Sequence, residues 1–383
     1  MDGVQPYTER GWTVDNLWHI FTDFYGGQYA PLAFLSYLVL YAGFGYDPFY
    51  FHMFSLLLHI GCVCLVWKLI SSLLRVHGGV SEKQILYVNF ITTLLFAVHP
   101  INVEAVAWIS ALKVLLYAFF YLLGLLCYLR YIRTSKIFYY VLTIGCFLCS
   151  FWGKEQAVTF PLALLIVDWF TNRNIKNLEV WSEKMSFLIM AFFFGIITVL
   201  SQGKGPYEMI FPLYQRLLFG CFALVEYITK SLLPVNLNFF YPFPIVLGEE
   251  PPLHYYLYPV VLLFLMGWII AYRNNRYLVF GVLLFLVNLL FSIHLFNMSR
   301  HAIVADRYMY LSYVGIAFLI ANGIWWLRKR LSYFKAALVF LFFYCFFLSV
   351  YTFHYTKKWE NTTMVKKYTK EVLEKRLNGS NHL

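Results

Sequence analysis

An all-α polytopic membrane protein is what this sequence predicts, and three observations carry the prediction. Apolar residues make up 61% of the chain and charged residues only 13%, far outside the composition of a soluble globular domain. The apolar residues come in runs close to the roughly 20 that a helix needs to cross a bilayer core of about 30 Å. Lys and Arg fall in short gaps at every second turn between those runs, as residues that fix orientation in a membrane do.

Ten spans follow from the runs, over 50–74, 84–99, 113–131, 137–152, 156–172, 185–203, 254–272, 277–295, 308–327 and 334–353. The basic gaps around Arg75, Arg133, Arg173, Arg276 and Lys329 are expected on the cytoplasmic side. The opposite, outer side then receives the HPINVE turn, the Lys154–Glu155 turn, residues 204–253 and 296–307, and the tail. Two further apolar stretches, 29–43 and 214–232, do not fit the alternation; the second carries Arg216, Glu226 and Lys230, and both read as outer interfacial helices. The expected organisation is an outer N-terminal segment over 1–47, a transmembrane domain over 48–353 and a polar outer tail over 354–383. Met1 to Gly27 has neither the basic nor the apolar region of a signal peptide, and no repeat of 20 to 50 residues is evident.

A net charge of +11 raises nucleic acid as a partner, but the basic residues are scattered and form no stripe or RNA motif, so that class is excluded and the bilayer is the expected partner. The seven cysteines lie in apolar stretches without the spacing of a zinc site or a disulfide framework. No metal is predicted: His99 and His301 belong to no HxxxH or His/Cys cluster.

Ionisable side chains are expensive in a membrane and therefore informative. Three clusters fall at the outer boundary. In the first, Pro100 forces the chain to break after His99, with Glu104 and Lys113 following; either the break lines a cavity, or Glu104 and Lys113 neutralise each other. In the second, Lys154 and Glu155 sit between two apolar runs; adjacent residues point different ways, one towards a phosphate and one towards a neighbouring helix, unless this is a plain turn. The third, MSRHAIVADRYMY, holds Arg300, His301, Asp306, Arg307, Tyr308 and Tyr310. An Arg fork beside phenols suits a phosphate head group, or else Asp306 and Arg307 anchor the helix end. A pocket of carboxylates and cations above a lipid-accessible groove suits a substrate with a greasy tail and a charged head.

Four motifs in order, HPINVEAVAW, GKEQAVTFPLALLIVDWF, LLPVNLNFFYPFP and ADRYMYLSYVGI, resemble the membrane half of the TMTC-type proteins and their bacterial relatives. These are polytopic glycosyltransferases of the GT-C fold, usually followed by tetratricopeptide repeats. The resemblance implies a GT-C-like bundle of about ten transmembrane helices that moves a sugar from a polyprenyl-phosphate donor to a protein or glycan acceptor on the outer side. It implies catalysis by Glu104, with Asp2 as the remnant of an acidic pair, and binding of the donor phosphate or substrate by His99, Lys113, Lys154, Glu155, Asp306, Arg307 and Tyr308. The bacterial inner membrane is favoured over the endoplasmic reticulum. Some such enzymes use a divalent metal, but the acidic pair that would hold it is not in this sequence.

The departures matter as much. The family pattern opens with a helix and an outer loop bearing two acids, which are expected upstream of this sequence, and repeats are expected beyond it. Where an Arg-Lys-Asp triplet is common, this chain has Leu112, Lys113 and Val114. That loss supports a second expectation, a non-catalytic GT-C-fold protein that binds a lipid or a partner. A transporter is disfavoured, because no paired, interrupted halves are visible.

Overall fold

The computed structural model describes residues 5–24, 27–202, 211–294 and 302–380. Two short helices, α1 (Gln5–Glu9) and α2 (Val14–Thr22), precede the apolar α3 (Pro31–Phe44). The long helix α4 (Pro48–His77) starts cleanly because Asp47 accepts the Phe49 N–H at 3.0 Å and Pro48 presets the first turn. Then come α5 (Glu82–Val98), the short α6 (Val103–Ala107), α7 (Leu112–Thr134), α8 (Ile137–Gly153) and α9 (Phe160–Phe170). The second half contains α10 (Leu178–Gln202), α11 (Leu213–Leu232), α12 (Leu257–Ala271), α13 (Arg276–Leu289), α14 (Met309–Trp326), α15 (Leu331–Thr356) and α16 (Thr362–Ser380). The protein is all-helical as expected, and no strand is present among the described residues.

The count of about ten spans is not confirmed. A helix occupies each of the ten expected places, but among the described residues six are long and apolar enough to cross a membrane, or seven if one bent pair counts as a span. The shortfall lies in α5, α8, α9 and α13. Helix α5 stops at Val98 because Pro100 cannot continue the ladder, and the chain turns by 51° into 100–107. Helix α9 has only 11 residues, about 16 Å; it starts at Phe160, with Pro161 in its first turn, after a 3-10 turn over Glu155–Thr159, and ends before Asn172, which takes a left-handed φ of 63°. Of the two stretches read as interfacial, α3 is short and apolar, and α11 is not among the six. In α11 the polar Gln215, Lys230 and Ser231 face inward and Leu213, Leu217 and Leu232 face outward, so its polar side serves the protein interior.

The bundle is organised around α7 and α14, whose apolar faces share one continuous core with α4, α5, α8, α9 and α13. Helix α12 buries none of its side chains, and α15 exposes a row of Phe and Val residues, as lipid-facing helices do. At the amino end, Ala30, Ala33, Tyr37 and Leu40 of α3 and its approach pack with Phe51, Leu112 and Leu116, and the Tyr37 hydroxyl donates to the Ile109 carbonyl at 2.7 Å.

Helices α13 and α14 meet with their backbones almost touching. A Cβ at Gly315 would stand 2.5 Å from the Gly281 carbonyl oxygen and 2.7 Å from the Phe285 nitrogen, both rigid atoms. Gly323, two turns further along α14, has open space. Gly315→Ala is therefore expected to cost about 1–3 kcal/mol through overpacking, whereas Gly323→Ala gains helix propensity of about 1 kcal/mol. Thermal unfolding in detergent checks this, and equal midpoints for the two variants would contradict the crossing.

Candidate functional site

The basic gaps expected on one side of the membrane do meet at one end of the bundle. His77 Nδ1 lies 2.7 Å from the Phe170 carbonyl oxygen, its ring packs against Tyr277, and Arg276 lies over Trp169. Asp168 and Lys184, both sealed, form an ion pair there, while Arg173 binds Asp168 at 2.9 Å and Glu183 at 2.8 Å. The Tyr128 hydroxyl donates to both Asp168 oxygens at 2.8 Å. Two acids and two bases saturate one another, which makes this cluster a staple between α7, α9 and α10.

The three sequence clusters gather at the opposite end. The break after α5 is built by its own residues: His99 Nδ1 accepts the Ile101 N–H at 3.2 Å, the Asn102 side chain donates to the Phe96 carbonyl at 2.7 Å, and Thr352 donates to the Val98 carbonyl at 2.8 Å. The carbonyls freed by Pro100 are thereby satisfied, as the membrane interior demands. His99 itself is buried and packs on Tyr313 at 4.2 Å. It caps the turn and does not face an open space.

The turn places Glu104, fully buried, against the ADRY segment. Its Oε2 accepts the Arg307 backbone N–H at 2.7 Å, and its Oε1 accepts from the Arg307 guanidinium. Mutual neutralisation of Glu104 and Lys113 is thus corrected: Glu104 pairs with Arg307, and Lys113 donates to the Gln28 side chain. The Arg307 guanidinium remains partly exposed, with Trp108 at 5.3 Å and Tyr308 at 5.2 Å from its central carbon. The buried Lys154 ammonium stands 4.6 Å from the centre of the same Tyr308 ring, so one phenol receives two cations. Lys113 lies within electrostatic reach of both Glu155 and Arg307. Lys154 lies over the Tyr308 ring, and Glu155 is within electrostatic reach of Lys113.

Asp306 turns away from its neighbour Arg307. Sealed in the interior, it accepts from the Tyr241 hydroxyl at 2.9 and 3.1 Å, and Lys230 stands 3.9 Å away. Lys230 donates to the same Tyr241 oxygen at 2.7 Å and pairs with Glu226 at 3.6 Å. Desolvation and the Asp306 charge hold the Tyr241 phenol well above its ordinary range, so it stays a donor. Lys230, Tyr241 and Trp108 are not among the residues that the sequence alone singles out for the site: Tyr241 and Trp108 lie inside two of the quoted motifs, and Lys230 lies on a stretch that reads as an interfacial helix. On the outer flank, Trp108, Phe239 and Trp359 pack together at 5.1 to 6.3 Å.

Asp2, Arg300 and His301 lie outside the described residues. Among the described residues, no group of three or more His, Cys, Asp or Glu side chains is placed to hold a metal ion. The departures at the Arg-Lys-Asp position have a packing counterpart: Leu112 and Val114 are both buried in apolar clusters.

Comparison with known proteins gives the same direction as the motifs. The chain is 32% identical to protein O-mannosyl-transferase TMTC2 of Mus musculus over 189 residues, which is 45% of this chain and 21% of that protein. It is 33% identical to TMTC2 of Homo sapiens over 189 residues, 45% and 21% of the two chains, and 28% identical to Tmtc3 of Drosophila melanogaster over 172 residues, 40% and 18%. Over less than half of its length the chain is similar to the TMTC-type proteins. The matched stretch spans about a fifth of the length of these relatives. No protein-family model and no solved structure matches the chain. These relatives are animal proteins, and the expectation of a bacterial inner membrane finds no support among them; that of a multi-pass membrane protein is supported by the long apolar helices.

Removing Arg307 strands the Glu104 charge in the interior, at about 3–5 kcal/mol. Glu104→Gln keeps shape and leaves Arg307 its exposed edge. Arg307→Met should therefore lower the unfolding midpoint more than Glu104→Gln; the reverse order would show that Glu104 does not depend on this pair.

Proposed function

We propose that this TMTC relative is a membrane glycosyltransferase with a GT-C-like bundle. It moves a sugar from a polyprenyl-phosphate carrier to a protein hydroxyl, or a glycan, on the extracytoplasmic side. The relatives' names make mannose the first sugar to test. The observation that carries the reading is the grouping of Arg307, Lys154 and Lys113 at one end of the bundle, with Arg307 held from behind by Glu104 and open in front.

In such a reaction the carrier phosphate gains a negative charge as its bond to the sugar breaks. A planar guanidinium offers the phosphate two parallel charge-assisted hydrogen bonds. Cations already fixed in a water-poor site stabilise the developing charge without reorganising. Tyr308, between Arg307 and Lys154, keeps the two cations apart and oriented, and the outward faces of α12 and α15 suit the polyprenyl tail in the surrounding lipid. Asp306, tied to Tyr241 and Lys230, fixes the start of α14 and hence the direction of Arg307.

A second reading, a non-catalytic protein of the same fold that binds a lipid phosphate or a partner, is favoured by the buried Leu112 and Val114 at positions where charges are usual in the family. The two readings separate in one assay, with the full chain in lipid nanodiscs and a polyprenyl-phosphate carrier bearing labelled mannose. Transfer of label to protein supports the transferase. Carrier binding without transfer supports the second reading. Under the first, Arg307→Lys, which loses the fork but keeps the charge, should slow transfer by about a hundredfold; a change within about threefold would remove Arg307 from the phosphate site.

A further inference from the structure

Among the described residues, four acids lie in or against the outer-end clusters, and three of them are already committed. Glu104 is sealed, with one oxygen on the Arg307 backbone and the other on its guanidinium. Asp306 is sealed, and both its oxygens accept from Tyr241. Glu226 stands on α11 beside Lys230. Glu155 differs: the residue is half-buried, and its Oε2 is shielded from solvent yet carries no hydrogen bond among the described residues. A buried acceptor left unpaired is uncommon and costly, and one recognised reason is a partner that arrives with a ligand.

The backbone that carries Glu155 is held on both sides. Lys154 is extended (φ −160°, ψ 140°) and buried with its ammonium on Tyr308, while the Gln156 side chain donates to Ser292 at 2.7 Å and Thr159 closes the turn on the Gln156 carbonyl at 3.0 Å. So the carboxylate is borne by a fixed turn, as a group with a positional task requires. Glu155 acts electrostatically on Lys113, as Arg307 does, which puts it in the same neighbourhood as the cations assigned to the phosphate.

We propose that Glu155, and not Glu104, is the group that takes the proton of the acceptor hydroxyl. The proposal rests on the transferase reading given above. The acceptor oxygen forms a bond to the anomeric carbon as the bond from that carbon to the phosphate oxygen breaks. The electron pair of the broken bond leaves with the polyprenyl phosphate, whose added negative charge meets Arg307 and Lys154. The hydroxyl proton passes to Glu155 Oε2 and is later lost to solvent through the open side of the residue. Glu104 is a positioning residue that acts through Arg307.

The test uses the full chain in lipid nanodiscs with labelled mannosyl polyprenyl phosphate. Glu155→Gln is expected to lower transfer by about a hundredfold or more, the scale of a general base, with polyprenyl-phosphate binding and the unfolding midpoint unchanged. Glu155→Ala is expected to recover at least about tenfold on adding formate, which supplies the missing carboxylate and which a merely structural role would not respond to. Transfer within about threefold of wild type in Glu155→Gln, with an active wild type, overturns the assignment while leaving the transferase reading in place. A wild type that transfers nothing overturns both. Should the variants fail to fold, carbodiimide labelling of the wild type decides: Glu155 tagged well ahead of Glu104 and Asp306 supports the proposal, and Glu104 or Asp306 tagged as fast overturns it.

Discussion

The ion pair between Glu104 and Arg307 is the interaction on which the candidate-site end of this protein depends. It joins two chain breaks some two hundred residues apart, the turn after α5 and the turn before α14. A fully buried carboxylate is tolerated only when its charge and its lone pairs are met. Glu104 meets that condition by taking a backbone N–H and a guanidinium from one residue, so it fixes the ADRY turn and the direction of its side chain together. With Arg307 set, Trp108 and Tyr308 have a cation to pack on, and Tyr308 in turn receives Lys154.

The two ends of the bundle use buried charge differently. At the end gathered around His77 and Asn172, Asp168, Glu183, Arg173 and Lys184 pair with each other and with Tyr128 until every charge has a partner. Such a closed set holds α7, α9 and α10 in register. At the opposite end the pairing is incomplete: Arg307 keeps an exposed edge, Lys113 meets a neutral Gln28, and a Glu155 oxygen has no hydrogen bond among the described residues. Closed charge suits a staple; open charge suits a place where another charged group arrives.

Much of the helix pattern was legible because it is encoded locally. Apolar runs and basic gaps put a helix at each of ten places, and Pro100 and the Lys154–Glu155 pair marked two of the breaks. Span length was not legible: the run 156–172 reads as one helix, but its first four residues belong to a 3-10 turn that precedes Phe160, and hydropathy does not register that change. Pairing was the harder matter. Glu104 and Lys113 are near in sequence and invite each other, yet the partner of Glu104 comes from the far half of the chain. Tyr241 sits in a motif that the resemblance marks without giving it a role, and Lys230 was read only as a charge on an interfacial helix. Their link to Asp306 exists only once α11 turns its polar side inward.

An electron cryo-microscopy structure of the full chain in nanodiscs with polyprenyl phosphate tests the central claim most directly. Phosphate density is expected on the open edge of Arg307, between it and Lys154, with Glu104 still beneath the guanidinium. Phosphate density at the Asp168–Lys184 end, or at the outer end away from Arg307, would contradict it.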